Sequence, residues 1–399
     1  MKLSMSFSPE LIDLIINHLH DHSESLLHCA LVGRNWTFAA RYHLFSAVTL
    51  HKSLSSYNPN KNVPRLELFL RLLNSPHSTI RPQDVHEITL IFSSRNFEYF
   101  SYLVTRTTAC LPALKSLNIL IDPTDSIVTR GWHDVRPCEV RPDDVVRNSF
   151  YKGFSESPLN WSNSTENFIR IVSSIPRLQR LKNTWSPPTE VSNLSLWKFP
   201  SHLRHLTVQT MKTAMMRWWL ADERRLPIHS VELYSVYPTE TPSIGAFLKT
   251  LGSSLMDLRV SFKGPRIVTE EAFRNHVNLA YNTSLRSLEI GDVSLEPRGG
   301  PVYFAWLFAI LSQITSKAMK HLKIWLCVGQ ATFELFDWGK LDGILATSPF
   351  DCLETLTFST YVFNRRHNFS DAVTTFLPSC QGRIQVEHYE AHDYEALQV

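Results

Sequence analysis

Few residues in this chain have the types and spacing that catalysis or metal binding requires. The sequence contains no H-E-x-x-H, G-x-G-x-x-G, G-x-S-x-G or phosphate-loop motif. Adjacent acids occur, among other places, at Asp143-Asp144 and Glu270-Glu271. Neighbouring residues do not share a face on a helix or strand, so neither pair suits acid–base catalysis. The 17 histidines form no ligand spacing with the cysteines. We therefore expect no enzyme activity, no metal and no cofactor.

A run of large side chains, Met215-Met216 followed by Trp218-Trp219, has residue types that also occur in cofactor pockets. The same spacing is typical of a helix that packs its large side chains into a hydrophobic core. Core packing is the interpretation we favour for this run.

Basic side chains are the best candidates for binding another molecule. They occupy positions between the apolar residues of a repeated pattern, and they are Lys115, Arg180, Lys182, Arg204, His205, Arg259 and Arg286. Arginine can bind a phosphate or carboxylate through two hydrogen bonds. These positions predict a binding site for an acidic or phosphorylated target segment. An ordinary solvated sheet face is the alternative interpretation.

The elements that carry these residues follow from the repeated pattern apolar-x-x-apolar-x-apolar. Copies begin at residues 85, 114, 203, 228, 255, 285, 319 and 353, with weaker copies at 45 and 178. From 178 onward the starts lie about 25 to 34 residues apart, enough for one strand and one helix. Such a unit cannot bury its own apolar face, so neighbouring units must stack. The pattern predicts an α/β fold, an irregular solenoid that resembles leucine-rich repeats, with a parallel sheet lining its concave face.

One interval between copies is about twice as long as the others. It contains a polar insertion at about 121–164, in which aromatic residues are interspersed: Trp132, Phe150, Tyr151, Phe154 and Trp161. Aromatic residues on a polar loop suit a recognition site. A degenerate repeat or an unstructured loop is the alternative.

The first 46 residues have a different pattern, which predicts three short helices. Ser8 and Pro9 are typical of a helix start, and apolar residues then cover an arc of roughly 200°. One core requires an apolar stripe of only about 100°, so this helix should face two apolar surfaces. A second helix is expected over 25–32, and Asn35 should cap a third that extends to about Leu44. Either the solenoid or an external partner covers the additional apolar face.

The residues of this segment resemble an F-box, in the form found in mushroom-forming fungi. The resemblance lies in 8–19, 29–36 and 40–45, although Ser8 and Gly33 replace residues that are common there. In that family the segment docks on the small adaptor of cullin–RING ubiquitin ligases. The resemblance implies a Skp-type adaptor, and through it a cullin, as partners. It also implies that eight residues lie at or support the contact: Pro9, Glu10, Leu11, Ile12, Ile15, Leu31, Val32 and Trp36.

The amino-acid composition bears on the type of partner and on the cellular location. Lys and Arg number 40 against 37 Asp and Glu, a balance that does not favour nucleic acid as a partner. No signal sequence or membrane-spanning run is apparent. The six scattered cysteines contain no C-x-x-C motif, which favours reduced thiols and a cytoplasmic or nuclear location.

Together these patterns predict two parts: an F-box-like helical segment at 1–46 and a repeat solenoid at 47–399. The function they favour is that of a substrate-receptor subunit of an SCF-type ubiquitin ligase, which binds an unidentified target protein through the solenoid. The alternative is a repeat scaffold outside any ligase, in which the N-terminal helices only cap the solenoid.

Overall fold

The structure is a computed structural model. It describes residues 7–51, 65–76, 78, 80–92, 104–121, 162–184, 198–209, 213–221, 226–262, 274–294, 305–328, 336–362 and 369–389. The predicted insertion lies almost wholly outside these residues, as do Asp143-Asp144 and Glu270-Glu271. The fold is α/β, as predicted: helices at the N-terminus precede the parallel strands of a leucine-rich-repeat-like solenoid. The chain divides into two compact units, Met1–Lys182 and Asn183–Val399. The division into 1–46 and 47–399 stays a prediction.

The first unit contains the three predicted N-terminal helices and the first repeats. Its helices are α1 (Pro9–His18), α2 (Ser23–Val32), α3 (Arg34–Ser46), α4 (Arg65–Leu73) and α5 (Ser162–Ser173), and residues 104–109 are also helical. Its strands are β1 (Ala47–His51), β2 (Glu87–Phe92) and β3 (Ser116–Ile121), and β4 (Arg180–Asn183) ends at the boundary with the second unit. Strand β2 pairs in parallel with both β1 and β3.

The second unit is a series of parallel strands with helices between them. Its strands are β5 (His205–Val208), β6 (Ser230–Val236), β7 (Asp257–Phe262), β8 (Ser287–Ser294), β9 (His321–Val328), β10 (Thr355–Val362) and β11 (Ile384–Tyr389). Its helices are α6 (Thr213–Ala221), α7 (Thr241–Leu251), α8 (Ala305–Ser312), α9 (Trp338–Leu345) and α10 (Phe369–Phe376). Each strand pairs in parallel with the next along the chain. The predicted parallel sheet is confirmed.

The apolar positions of the repeated pattern form the core of the second unit. Six of them lie in register across β5–β10 and are at most 3% exposed: Leu206, Val231, Leu258, Leu288, Leu322 and Leu356. Full burial of such a side chain stabilises a fold by about 1.5–3 kcal/mol. Each residue of the column is in register with the equivalent residue of the next strand, so each repeat depends on its neighbours for this stability.

Backbone hydrogen bonds fix the start of each strand against the preceding repeat. The carbonyl oxygen of Arg204 accepts the N–H groups of His229 and Ser230, at 2.8 and 3.0 Å. The Lys320 carbonyl likewise accepts those of Glu354 and Thr355, at 2.7 and 3.0 Å. The same pairing recurs at His86, Lys115, His229, Met256 and Arg286. Backbone polar groups at these turns are therefore satisfied between repeats.

Several predicted elements differ from those observed. The third helix begins at Arg34 and its N-cap is Gly33, so the predicted cap at Asn35 is wrong. Asn35 lies instead in the first turn of α3. Apolar residues spaced as in a helix from Ala272 to Tyr281 predict one helix there. The described part, 274–281, instead contains a helical turn at 274–276 and a short 3-10 helix, Leu279–Tyr281. The Asn278 side chain accepts a hydrogen bond from the Ala280 N–H at this point and ends the regular pattern.

Candidate functional site

The three N-terminal helices share a small core of their own. Ile12 and Ile16 of α1, Leu26 of α2 and Ala40 of α3 are buried together. The helix start predicted at Ser8 is confirmed, because the Ser8 side chain accepts a hydrogen bond from the Leu11 N–H. A core of this size provides little stability, as is usual for very small helical segments.

Much of the apolar surface of α1 and α2 lies outside that core. Leu31 is 84% exposed and Val32 is 67% exposed, and Leu11, Leu14 and Leu27 are also exposed. We name these five the α1–α2 apolar residues. Large apolar side chains exposed in this number on two short helices are typical of a protein-binding surface. The apolar arc of α1 thus extends beyond its buried side, as the sequence predicted.

The eight residues predicted to bind or support the adaptor divide into two groups. Those at the surface are Pro9, Glu10, Leu11, Leu31 and Val32. Ile12 is buried in the bundle core, Ile15 is half-buried, and Trp36 is half-buried against that core with Phe7 edge-on at 6.0 Å. Ile12 and Trp36 therefore hold the helices together from behind the exposed side chains.

Two exposed residues, Leu14 and Leu27, were missed by the sequence reasoning. Their spacing carried a signal, since Leu14 lies three residues after Leu11 and Leu27 lies four before Leu31. Residues three and four apart share one side of a helix.

Helix α3 has a different set of contacts, with residues near the first strands. The Arg81 guanidinium lies over the Phe38 ring, 5.0 Å from its centroid. Tyr42 is edge-on to His86 at 6.0 Å, and the His86 N–H donates to the Ser46 carbonyl. Contact with the repeats of the first unit therefore comes from α3.

A polar contact joins α1 to α3. His43 Nε2 lies 2.9 Å from Asn17 Oδ1, and the rings of His20 and His43 are 6.4 Å apart. Burial, followed by the nearby His20, lowers the pKa of His43, and Asp13 opposes that shift. The neutral form of His43 is therefore the form that the folded bundle favours.

The predicted basic target-binding residues occupy two kinds of position. Arg180, Lys182, His205 and Arg259 lie in strands, whereas Lys115, Arg204 and Arg286 lie just before them. The Arg204 guanidinium donates to three carbonyl oxygens, of Ser201, Leu203 and Pro227, in the turns before β5 and β6. Arg383 does the same before β11, where it donates to Phe350, Leu353 and Ser379. Such arginines stabilise the turns between repeats.

The exposed sheet face of the second unit carries a connected set of aromatic and charged side chains. Arg259 Nε lies 3.0 Å from Glu289 Oε1, and its guanidinium is 4.8 Å from the Tyr234 ring centroid. The Tyr234 hydroxyl donates to Glu232 at 3.0 Å. Trp325 donates its indole N–H to Glu289. These contacts join β6, β7, β8 and β9.

The same set extends to β11. Lys323 Nζ lies 2.6 Å from Glu387 Oε2 and 4.6 Å from the Trp325 ring centroid. Ser359 and Tyr389 also donate hydroxyl hydrogen bonds to Glu387, and the Trp325 and Tyr389 rings are 5.0 Å apart. We name this set the sheet-face network: Glu232, Tyr234, Arg259, Glu289, Lys323, Trp325, Ser359, Glu387 and Tyr389.

Burial and contacts within the network shift the pKa values of Tyr234 and Glu387. Burial and the adjacent Glu232 carboxylate raise the pKa of Tyr234, so its hydroxyl remains a donor over the physiological range. Burial works to raise the pKa of Glu387, but hydrogen bonds from Lys323, Ser359 and Tyr389 outweigh it and lower that pKa. Glu387 is therefore ionised and paired with Lys323 at neutral pH.

The described part of the chain contains neither a membrane-spanning helix nor a cluster of metal ligands. None of its helices has the length and apolar character to cross a membrane. No group of three or more His, Cys, Asp or Glu side chains within it could hold a metal ion. The buried residues Met215, Met216, Trp218 and Trp219 form part of the core, which confirms the structural interpretation of that run.

Comparison with known proteins gives distant structural neighbours. No protein-family model matches the sequence, and neither does any curated protein. The leucine-rich repeat-containing protein LegL7 from Legionella pneumophila is similar at a TM-score of 0.44 and 14% identity, over 87% of this chain and 91% of that one. A chain in the yeast Rad7 and Elc1 complex is similar at a TM-score of 0.39 and 13% identity, over 95% and 81%. The class of protein is defined by the fold itself, a leucine-rich-repeat-like solenoid with three N-terminal helices.

Proposed function

We propose that this chain is the substrate-receptor subunit of an SCF-type cullin–RING ubiquitin ligase. Helices α1–α3 would bind a Skp-type adaptor, and through it a cullin, while the repeats bind a target protein. The observation that carries this proposal is the exposure of the α1–α2 apolar residues, Leu31 above all. The proposal needs no catalytic site in this chain, because ubiquitin transfer would belong to other subunits. We place the assembly in the cytoplasm or nucleus.

Physical chemistry supports a partner for these residues. Each large apolar side chain that moves from water into a packed contact contributes about 1.5–3 kcal/mol. Association also loses rotational and translational freedom, so several such side chains are needed to give a stable complex. The five α1–α2 apolar residues meet that requirement. The resemblance of the same helices to an F-box supplies the identity of the partner.

A second candidate function is a repeat scaffold outside any ligase, with the helices as a cap. The contacts of α3 with Arg81 and His86 favour it, because they cover the start of the repeats in the first unit. These contacts occupy α3 alone. Capping by α3 therefore leaves unexplained why Leu27, Leu31 and Val32 of α2 face solvent.

Co-purification with a Skp-type adaptor tests the proposal. Leu31→Asp would place an unpaired charge in the contact, which costs several kcal/mol and should abolish a micromolar complex. The matched control is Leu72→Asp, since Leu72 is also an exposed leucine in a helix of the first unit, but it lies in α4. We expect the Leu31 variant to lose the adaptor and the Leu72 variant to keep it.

Thermal melting of the free protein completes the test. Both substitutions change exposed side chains, so both variants should melt as the wild type does. If the wild type binds no Skp-type adaptor, or if the Leu31 variant binds it normally, the ligase proposal is wrong. A melt that collapses for Leu31→Asp without any adaptor dependence would favour the scaffold.

A further inference from the structure

The sheet face of the second unit has a different charge balance from the one that the pattern of basic residues suggests. Two basic residues expected on it, Arg204 and Arg286, lie at the turns that precede the strands. Two cations, Arg259 and Lys323, remain on the strand positions that face away from the core. Four carboxylates occupy equivalent positions: Glu232, Asp257, Glu289 and Glu387.

Those two cations are already paired. Arg259 pairs with Glu289, and Lys323 pairs with Glu387. Among the described residues, Glu232 accepts hydrogen bonds from the hydroxyls of Thr207 and Tyr234 and forms no ion pair. Asp257 is exposed at the start of β7 and likewise forms no ion pair there. Two carboxylates on one face are thus left for a cation from outside the chain.

The positions of these two carboxylates define a spacing. Ser230 of β6 is in register with Asp257 of β7, so Glu232 lies two residues further along the adjacent strand. A position two residues further along the neighbouring strand is separated from the first by about 8 Å between Cα atoms. Alternate side chains of an extended peptide are spaced by about 7 Å. Basic side chains at every second position of an extended segment match this separation.

We propose that this face binds an extended, basic segment of a partner protein, with alternate Lys or Arg side chains directed at Glu232 and Asp257. The inference deepens the proposed function by naming the chemistry of the target segment, and it rests on that function only for the identification of the segment as a target. Charge complementarity argues for it, because the cations that could attract an acidic segment are neutralised within the sheet-face network.

The two tyrosines of the network supply the rest of the surface. Tyr234 presents a half-buried ring beside Glu232, and Tyr389 presents another beside Glu387. Trp325 is only 6% exposed and packs against the Tyr389 ring. Tyr, Trp and Arg are the residue types most enriched at the energetic centres of protein interfaces. Their side chains are held by hydrogen bonds and ion pairs before any partner arrives, which limits the entropy lost on binding.

Fluorescence anisotropy on the full-length protein, without adaptor, tests this proposal. The probe is a fluorescein-labelled dodecapeptide of alternating Lys and Ser, and its counterpart alternates Glu and Ser. The test variant is Glu232→Gln with Asp257→Asn. The control is Asp351→Asn with Asp371→Asn, which makes the same change in net charge at two exposed residues outside the strands, before β10 and in α10. Circular dichroism checks that each variant remains folded.

We expect the basic peptide to bind the wild type and the control variant equally. The test variant should raise its Kd by about three- to tenfold, as the loss of two partly exposed ion pairs predicts. Added salt should weaken binding to the wild type.

The proposal is overturned if the basic peptide does not bind, if the two double variants weaken it equally, or if the acidic peptide binds more tightly. A Leu31→Asp variant should bind the basic peptide as the wild type does. The peptide assay and the adaptor assay therefore test the two proposals independently. A failure to bind the adaptor does not change what the peptide assay shows.

Discussion

The N-terminal helices and the repeats of the second unit expose opposite kinds of surface. The helices bury four apolar residues together and leave Leu31 and Val32 in water. The repeats bury their apolar positions almost completely, and their outward face carries paired charges and aromatic rings. An exposed apolar surface is expected to bind a partner that buries it. A polar surface whose two cations are paired within the chain, and whose Glu232 and Asp257 form no ion pair with a described residue, selects a partner by charge and shape.

The two regions also differ in whether the same residues provide both stability and recognition. In the second unit, the column of buried residues provides the stability, so the sheet face is free to specialise for recognition. In the helices, one small set of residues serves both purposes, because the core at Ile12 and Ile16 lies directly behind exposed Leu11 and Leu14 of the same helix. Substitutions should therefore have effects of different size in the two regions.

The largest effect is expected from the buried column. Leu288→Ala removes a side chain that is 0% exposed and leaves a cavity, so the free energy of unfolding should fall by about 2–5 kcal/mol. Leu31→Ala in the helices should change it by less than about 0.5 kcal/mol, since that side chain is in water. Urea unfolding followed by circular dichroism measures both. Equal losses of unfolding free energy in the two variants would contradict this difference between the two regions.

The next largest effect is expected at a glycine of the second unit. A Cβ on Gly245 of α7 would lie 1.7 Å from the carbonyl oxygen of His276. Gly245→Ala should force the backbone apart and destabilise the unit by about 1–3 kcal/mol. The matched control is Gly343→Ala in α9, where nothing lies within 4 Å of the new Cβ. That variant should gain up to about 1 kcal/mol from helix propensity. Thermal melting compares them, and a stable Gly245 variant would contradict the close approach.

The repeats could be predicted from the sequence because their signal is redundant. Leu206, Val231 and Leu258 occupy the same place in successive copies of one pattern, and a chance match at one of them does not disturb the others. Strand β11 was missed because Gln381 stands where the pattern requires an apolar residue, so Ile384 and Val386 alone were too short a signal.

The binding surfaces could be predicted only in part. The pattern identifies which residues alternate between core and surface, but it does not show where each strand begins. Arg204 therefore appeared to belong to the sheet face, although its guanidinium binds carbonyl groups in two turns. The sheet-face network depends on the register of adjacent strands, such as Glu232 beside Arg259, and only pairing between distant segments of the chain sets that register.

A smaller effect is expected when the sheet-face network is cut. Lys323→Met removes the ion pair to Glu387, and both side chains are partly exposed to solvent. Such pairs contribute about 0–1 kcal/mol, so stability should fall by no more than that. The pKa of Glu387 should rise, since Lys323 is one of the groups that lower it. NMR titration of Glu387 and urea unfolding measure the two changes. A loss above about 2 kcal/mol would show that the network stabilises the fold instead of serving recognition.

The smallest effect is expected from the pH dependence of the helices. The folded bundle lowers the pKa of His43 from its ordinary 6.5, so the unfolded chain takes up this proton more readily. The stability from neutral His43 is therefore complete above about pH 6.5 and is lost as the pH falls through the lower folded value. In the second unit the lowered pKa of Glu387, ordinarily 4.5, makes its contribution disappear only in more acidic solution.

Hydrogen exchange of α1 and α3 amides from pH 7.5 to 5.5, corrected for intrinsic rates, measures this difference between the two regions. Protection of α1 should decrease on acidification in the wild type, because protonated His43 faces His20 and is poorly solvated beside Asn17. His43→Gln keeps a polar side chain but cannot titrate, so its protection should depend less on pH. The strands of the second unit serve as the internal control and should remain unchanged. An identical pH dependence in the wild type and the His43 variant would assign the effect to another group.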